Sequence, residues 1–341
     1  MIFSDTPRVR LFEAPTPLER LGRLGETLGH DALYNKRDDT ISLGIGGNKL
    51  RNCEFWFGEA LEQGCDLVLI AGAPASNQCR LVAAAACKTG LECRVLYAAP
   101  CPPELTGNFL LVSIMGVECI WLGAVSEEER ALRTVEYAEQ MKREGRRPYI
   151  AGAPIPGALG YVNAALELHT QADAKGMDIR HVVTAGSMGP TEAGLLWGSA
   201  LLGGAFELHL PSVEYEREEL RSRVLSIFDR ISERLKITPP VGPNSLLHVY
   251  DEFLGAGYDI PTPESLSAAR RLASLEGIFV ENTYNGKVFA GLESLIKRKV
   301  LPSNEGVCVL HTGGLPALFA QGERFIQSTT NPLRGQANEA D

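Results

Sequence analysis

Short apolar runs alternate with amphipathic stretches along most of the chain. The runs Leu67-Val68-Leu69-Ile70-Ala71, Arg94-Val95-Leu96-Tyr97, Glu118-Cys119-Ile120-Trp121, His181-Val182-Val183-Thr184 and Val307-Cys308-Val309-Leu310 are continuously apolar or nearly so. Strands of that kind are covered on both faces, as in a parallel sheet. Between them, Leu50, Cys53, Phe57 and Leu61 recur at helical spacing from Lys49 to Glu62, and Val288, Phe289, Leu292, Leu295 and Ile296 do so near the end. A charged stretch free of breakers predicts a long helix from Glu214 to Lys236, stopped by Pro239 to Pro243. The alternation predicts an α/β fold with mainly parallel sheets.

Loop-rich stretches at Ser42 to Gly47 and Ala153 to Gly160 bracket a compact series of strand–helix alternations. We therefore expect two α/β domains, a small one over residues 48–158 and a large one over 1–47 and 159–341, with the chain crossing twice. The polar tail after Gln327 is expected to be mobile.

A length of 341 residues with 45% hydrophobic and 22% charged residues suits a folded chain of about two domains. The net charge is −9 and no segment is strongly basic, which argues against nucleic acid or an anionic membrane as partner. The longest apolar run, Leu81 to Cys87, is too short to span a bilayer, and Met1 to Arg10 lacks a signal core, so a cytoplasmic protein is expected. The eight cysteines form no C-x-x-C pair and the histidines do not cluster in sequence. Buried free thiols and no metal site are expected from that pattern.

Candidate chemistry gathers where strands give way to helices, since the carboxyl ends of parallel strands are where open α/β sheets bind ligands. Gly72-Ala73-Pro74-Ala75-Ser76-Asn77-Gln78 follows one strand, Ala185-Gly186-Ser187-Met188-Gly189-Pro190-Thr191 a second, and Leu310-His311-Thr312-Gly313-Gly314 a third. Free N–H groups and the dipole at a helix start make the second a natural phosphate cradle. Gly46-Gly47-Asn48-Lys49 puts a lysine at the start of a helix. There the dipole opposes its charge and favours the neutral, nucleophilic amine. Taken singly, each has an ordinary reading: Lys49 as a surface lysine, Ser76, Asn77 and Thr312 as helix caps, Tyr258 and Tyr284 as core-edge tyrosines. Together, a nucleophilic lysine, a phosphate cradle and a polar loop are the minimal set for pyridoxal phosphate. A nicotinamide enzyme ranks below, because no G-x-G-x-x-G follows the early strands.

Five motifs sharpen this reading. Gly46-Gly47-Asn48-Lys49-x-Arg51, Ser76-Asn77-Gln78-x-Arg80, Gly257-Tyr258-x-Ile260-Pro261-Thr262-Pro263-Glu264, Tyr284-Asn285-Gly286-Lys287 and His311-Thr312-Gly313-Gly314-x-Pro316-Ala317 occur in that order across nearly the whole chain. The set resembles the D-cysteine desulfhydrase / 1-aminocyclopropane-1-carboxylate deaminase family of tryptophan-synthase-β-like, fold-type II pyridoxal phosphate enzymes. The resemblance implies a small α/β domain closing over a larger one, the cofactor in the cleft between them, and a homodimer. It implies that Lys49 bonds the cofactor aldehyde and that Asn77 meets the ring hydroxyl. Gly186, Ser187, Met188, Gly189 and Thr191 would line the phosphate, with Thr312 and Asn285 at the pyridine nitrogen. Ser76, with Asn77 and Gln78, would receive the substrate carboxylate, Lys49 or Ser76 would handle the α-proton, and Tyr258 and Tyr284 would be active-site tyrosines.

The implied reaction is elimination from a small amino acid, giving a 2-oxo acid and ammonia. Cyclopropane deaminases of the family carry Glu after the motif tyrosine, whereas this chain has Asn285, which points to the desulfhydrase branch. Ala75 stands where the family commonly has Gln, and the phosphate loop is longer, with Met188 and Pro190. Ring-opening deamination, a cysteate-type lyase, and a cofactor-binding carrier or regulator with little turnover are the alternatives.

Overall fold

The computed structural model describes residue 3 and residues 6–326; the tail after Gln327 lies outside the described residues. Its strands are β1 (Leu18–Arg20), β2 (Leu33–Arg37), β3 (Leu67–Gly72), β4 (Glu92–Tyr97), β5 (Glu118–Trp121), β6 (Pro148–Ile150), β7 (Ile179–Val183), β8 (Glu207–Pro211), β9 (Leu247–Tyr250) and β10 (Gly306–His311). They form a 6-stranded sheet in the order β1-β2-β10-β7-β8-β9 and a 4-stranded sheet in the order β5-β4-β3-β6. Pairing is parallel throughout except for β1 against β2. The result is a pair of α/β layers with mainly parallel sheets, as the alternating pattern predicts.

The five apolar runs lie on β3, β4, β5, β7 and β10. Strands β2, β8 and β9 carry polar residues that hide them from a hydropathy reading. Lys36 on β2, for example, is 2% exposed, and its Nζ donates to the Thr16 carbonyl at 2.7 Å, Glu167 Oε1 and Gln171 Oε1. A lysine can lie inside a sheet only when partners brought by the fold replace its water. The long charged helix runs from Arg217 to Leu235 and ends at Lys236 in the left-handed region, φ 55°.

The Lys49–Glu62 helix forms the seam between the two layers. Phe55 packs into the core that holds Leu159 and Trp197, while Leu50, Cys53, Trp56 and Phe57 pack with Val68 and Val82. It lies against the Pro154–Ala174 helix, within which the expected crossing at 158/159 falls. A Cβ at Gly160 would come 2.2 Å from the Arg51 carbonyl oxygen, so only glycine permits this approach. Arg51 donates to Asp38 through Nε and Nη2, both at 2.8 Å, and to Glu167 at 2.9 Å; Tyr161 donates its hydroxyl to Asp38 at 2.6 Å. This buried group fixes the helix two residues after Lys49.

The cysteines are all free; Cys53, Cys79, Cys93 and Cys308 are buried as expected, but Cys87 and Cys101 are exposed. Among the described residues, no helix is long and apolar enough to cross a membrane.

Candidate active site

Three turns meet at the start of the Lys49–Glu62 helix. Gly46 and Gly47 have φ of 66° and 130°, values that favour glycine. Gly47 N–H donates to the Asp38 carbonyl at 2.9 Å and Asn48 N–H to the Thr312 carbonyl at 3.0 Å. A Cβ on Gly313 would sit 2.7 Å from Gly47 Cα, so the lysine turn and the Thr312 turn touch backbone to backbone. Asn48 Nδ2 donates to Thr191 Oγ1 at 3.1 Å and ties in the third turn.

The amine of Lys49 is held below the usual lysine range, chiefly by burial, with Glu192 and Glu214 opposing the shift. The helix dipole acts in the same direction. Desolvation is the larger cause in the folded chain, and it could not be read from position on a helix.

The loop after β7 leads into the Pro190–Leu201 helix through Gly189, φ 105°. Gly186 N–H donates to the Pro211 carbonyl at 2.9 Å, so that donor is committed to extending the sheet. Met188 is 41% exposed, and its sulfur accepts from the Tyr215 hydroxyl at 3.3 Å. Ser187 N–H donates to Glu192 Oε1 at 2.6 Å, and Ser187 Oγ donates to Glu214 Oε2 at 2.5 Å. Glu192 is wholly enclosed; burial raises its pKa, while Lys49 and the backbone at Glu192, Ser187 and Gly189 act in the opposite sense.

Sequence reading singled out neither glutamate. Glu192 follows the glycine loop directly and was legible as an acid in the first turn of a helix; Glu214 comes from another strand's exit and had no such signal.

On the far side, Thr312 and Asn285 form a closed group. Asn285 Nδ2 donates to Glu281 Oε1 at 3.0 Å and to the Gly313 carbonyl at 2.8 Å, which fixes the amide's orientation. Asn285 Oδ1 then accepts from Thr312 N–H at 3.1 Å and Thr312 Oγ1 at 3.2 Å. Glu281 accepts the N–H groups of Thr283 at 2.6 Å, Tyr284 at 3.0 Å and Asn285 at 2.9 Å, capping the Asn285–Lys297 helix with charge. Burial nevertheless raises its pKa. With its amide fully engaged, Asn285 acts by positioning Thr312.

Tyr258 and Tyr284 meet hydroxyl to hydroxyl at 2.5 Å. Desolvation pushes Tyr258 up to about 12, and burial raises Tyr284 as well, so the pair stays protonated at neutral pH. Both feel the charge of Glu214, as Lys49 does, and Ser187 Oγ donates to the same carboxylate.

The turn after β3 contributes from the smaller sheet. Ser76 Oγ accepts Cys79 N–H at 3.2 Å, so this serine does cap the Asn77–Thr89 helix. Gln78 lies on the first turn of that helix, its Nε2 3.2 Å from where a Cβ on Gly152 would stand. Asn77 Oδ1 accepts from Asn108 Nδ2 at 3.0 Å and Arg80 Nη2 at 3.4 Å. Arg80 is fully buried, donates to the carbonyls of Gly44 and Gly46, and is pulled to about 10 by desolvation. Through Arg80 the Ser76–Gln78 turn is coupled to the glycines before Lys49.

The donor set suits pyridoxal phosphate. Backbone N–H groups at a helix start already hold an oxyanion, the carboxylate of Glu192, and a phosphate makes the same demand. The Lys49 amine, lowered in pKa by burial, interacts electrostatically with that carboxylate, and a hydroxyl and an amide lie on the adjoining turns. Parallel α/β layers with such a lysine at their strand ends define the architecture of a fold-type II pyridoxal phosphate enzyme.

The family profile described as "Pyridoxal-phosphate dependent enzyme" matches residues 9–313, and the chain belongs to that family. A Pyrococcus abyssi protein that carries the provisional name 1-aminocyclopropane-1-carboxylate deaminase is 37% identical over 329 residues, covering 96% of this chain and 97% of that protein. The D-cysteine desulfhydrase of Salmonella paratyphi C is 36% identical over 322 residues, covering 92% and 96%. The solved structure of an ACC deaminase homologue superposes with a TM-score of 0.87 at 33% identity, covering 96% of this chain and 98% of that one. This chain is accordingly a pyridoxal-phosphate-dependent enzyme of the lyase and deaminase class, acting on a small amino acid.

Proposed function

We propose that the enzyme is a D-cysteine desulfhydrase-type lyase. The substrate loses its α-proton and a β-leaving group, and water then replaces the amino group to yield a 2-oxo acid and ammonia. The observation that carries this reading is Asn285. A neutral amide follows Tyr284, and its oxygen is engaged by Thr312, so this side of the site presents a hydroxyl where the ring-opening deaminases of the family have a carboxylate.

Pyridoxal phosphate, when bound, supplies a sink for the electron pair left as the α-proton departs. The remaining roles belong to side chains. Lys49 would bond the cofactor, and its amine, whose pKa burial lowers, would take the α-proton. Ser187, Gly189 and Thr191 hold the phosphate, Asn77 the ring hydroxyl, and Thr312, fixed by Asn285, the pyridine edge. Ser76 and Gln78 receive the substrate carboxylate. Tyr258 and Tyr284, joined by a hydrogen bond, deliver a proton to the departing group. Residues 48–158 form the domain that closes over the rest.

The test is product analysis. D-cysteine is expected to give sulfide and pyruvate, and Lys49→Ala is expected to abolish both the visible band of the holoenzyme and the reaction. A second reading, ring-opening deamination, is favoured by similarity to the Pyrococcus abyssi protein. Formation of 2-oxobutanoate from the cyclopropane amino acid, without sulfide from D-cysteine, would establish it instead.

A further inference from the structure

A second polar cluster lies in the first halves of β7 and β8, away from the strand exits that gather around Lys49. Parallel pairing aligns His181 with Glu207 and His209 with His248, which puts these side chains on one face of the large sheet. His181 Nδ1 lies 3.0 Å from His209 Nε2, and one ligand atom from each of His181, Glu207 and His209 falls within 4.8 Å of the others. Both histidines are buried, at 6% and 2% exposure, whereas the Glu207 side chain reaches solvent.

Three neighbouring groups orient the members of this triad. Glu305 Oε2 lies 2.7 Å from His181 Nε2, and a carboxylate can only accept, so the His181 proton sits on Nε2 and its Nδ1 lone pair faces His209. Tyr250 Oη is 3.0 Å from His209 Nδ1, and a phenol oxygen can take that proton. His248 stacks on His209 with centroids 4.7 Å apart, and its Nε2 lies 2.7 Å from Glu207 Oε2. Two imidazole nitrogens 3.0 Å apart need a proton or a cation between them. Ligands at about 2.0–2.2 Å from a tetrahedral zinc ion lie only slightly further apart than this. Histidines that donate their outer N–H to a carboxylate or oxygen are the usual supports of such sites.

We propose that His181, Glu207 and His209 bind one divalent transition-metal ion of the zinc class, with water in the open position beside Glu207. The ion ties β7 to β8 and, through Glu305 and Tyr250, engages the approach to β10 and the end of β9. Its role is structural, because the cluster is remote from the lysine turn.

The experiment is calorimetric titration of the holoenzyme with zinc, and with cobalt(II) as a visible probe. Cys87 and Cys101 are exposed, so both are first replaced by serine to remove thiolate sites. One ion per chain is expected, with a raised melting temperature and cobalt d–d bands. Glu207→Gln is expected to weaken binding at least about tenfold, and Glu305→Gln by about 10–100-fold through loss of its support to His181. Both positions are partly exposed, so these variants test the site without emptying the core. Absence of saturable binding, or binding that neither variant changes, would overturn the assignment.

Discussion

Glu192 Oε1 accepts the backbone N–H of Ser187 at 2.6 Å, which seats a buried carboxylate on donors that also suit a phosphate. A phosphate placed there would compete with that carboxylate. Replacing Glu192 by Gln keeps an acceptor oxygen but removes the charge, and unit charges about 4 Å apart near a protein surface interact by about 4 kcal/mol. Titration of the apoprotein with pyridoxal phosphate is expected to show at least about tenfold tighter binding by Glu192→Gln. Because burial raises the Glu192 pKa, wild type and variant should converge as the pH falls and the carboxyl group takes a proton. Equal affinity of the two at neutral pH would show that the carboxylate does not contest the site.

The hydroxyls of Tyr258 and Tyr284 are joined by a hydrogen bond. Tyr258→Phe and Tyr284→Phe are each expected to lower kcat by about 100-fold or more. The double variant should be little worse than either, since each single change already breaks the shared hydrogen bond. Steady-state kinetics on D-cysteine reads this directly, and strictly multiplicative losses would contradict it.

Asn285 is the hub of the Thr312 turn. Asn285→Ala leaves Thr312 N–H and the Gly313 carbonyl without their partner, and each buried unsatisfied group costs about 1–3 kcal/mol. Thermal melting is expected to fall by several degrees, whereas Thr312→Val, which removes only the hydroxyl, should alter the cofactor's absorption spectrum with a smaller stability loss.

Stability toward acid rests on Asp38. Burial alone would raise its pKa, but the charge and hydrogen bonds of Arg51, with Lys36 and Tyr161, bring it below the ordinary aspartate value. The folded value is the lower one, so the stabilisation is complete above the unfolded pKa of about 3.9 and is lost as the pH drops through the folded value. Arg51→Met strands the buried carboxylates and is expected to cost about 3–5 kcal/mol at neutral pH, with a reduced loss in acid. Denaturant melts at a series of pH values measure both effects.

Apolar strands such as β3 and β10 were legible because their composition alone excludes water on either face. The Lys49 turn was legible because two glycines before a lysine at a helix start is a local signal. Strands β2, β8 and β9 were not, since Lys36, His209 and His248 are tolerated there through partners distant in sequence.

The chain by itself therefore determined the layered α/β architecture and the cofactor class, which follow from periodicity and short motifs. Only tertiary structure decided that burial lowers the Lys49 pKa, that Asn285 positions Thr312, and that the charges of Glu192 and Glu214 act on the amine. It also decided that His181 and His209, 28 residues apart, lie 3.0 Å from one another. Burial and hydrogen-bond partnership arise from packing between separate segments, and no local pattern encodes them.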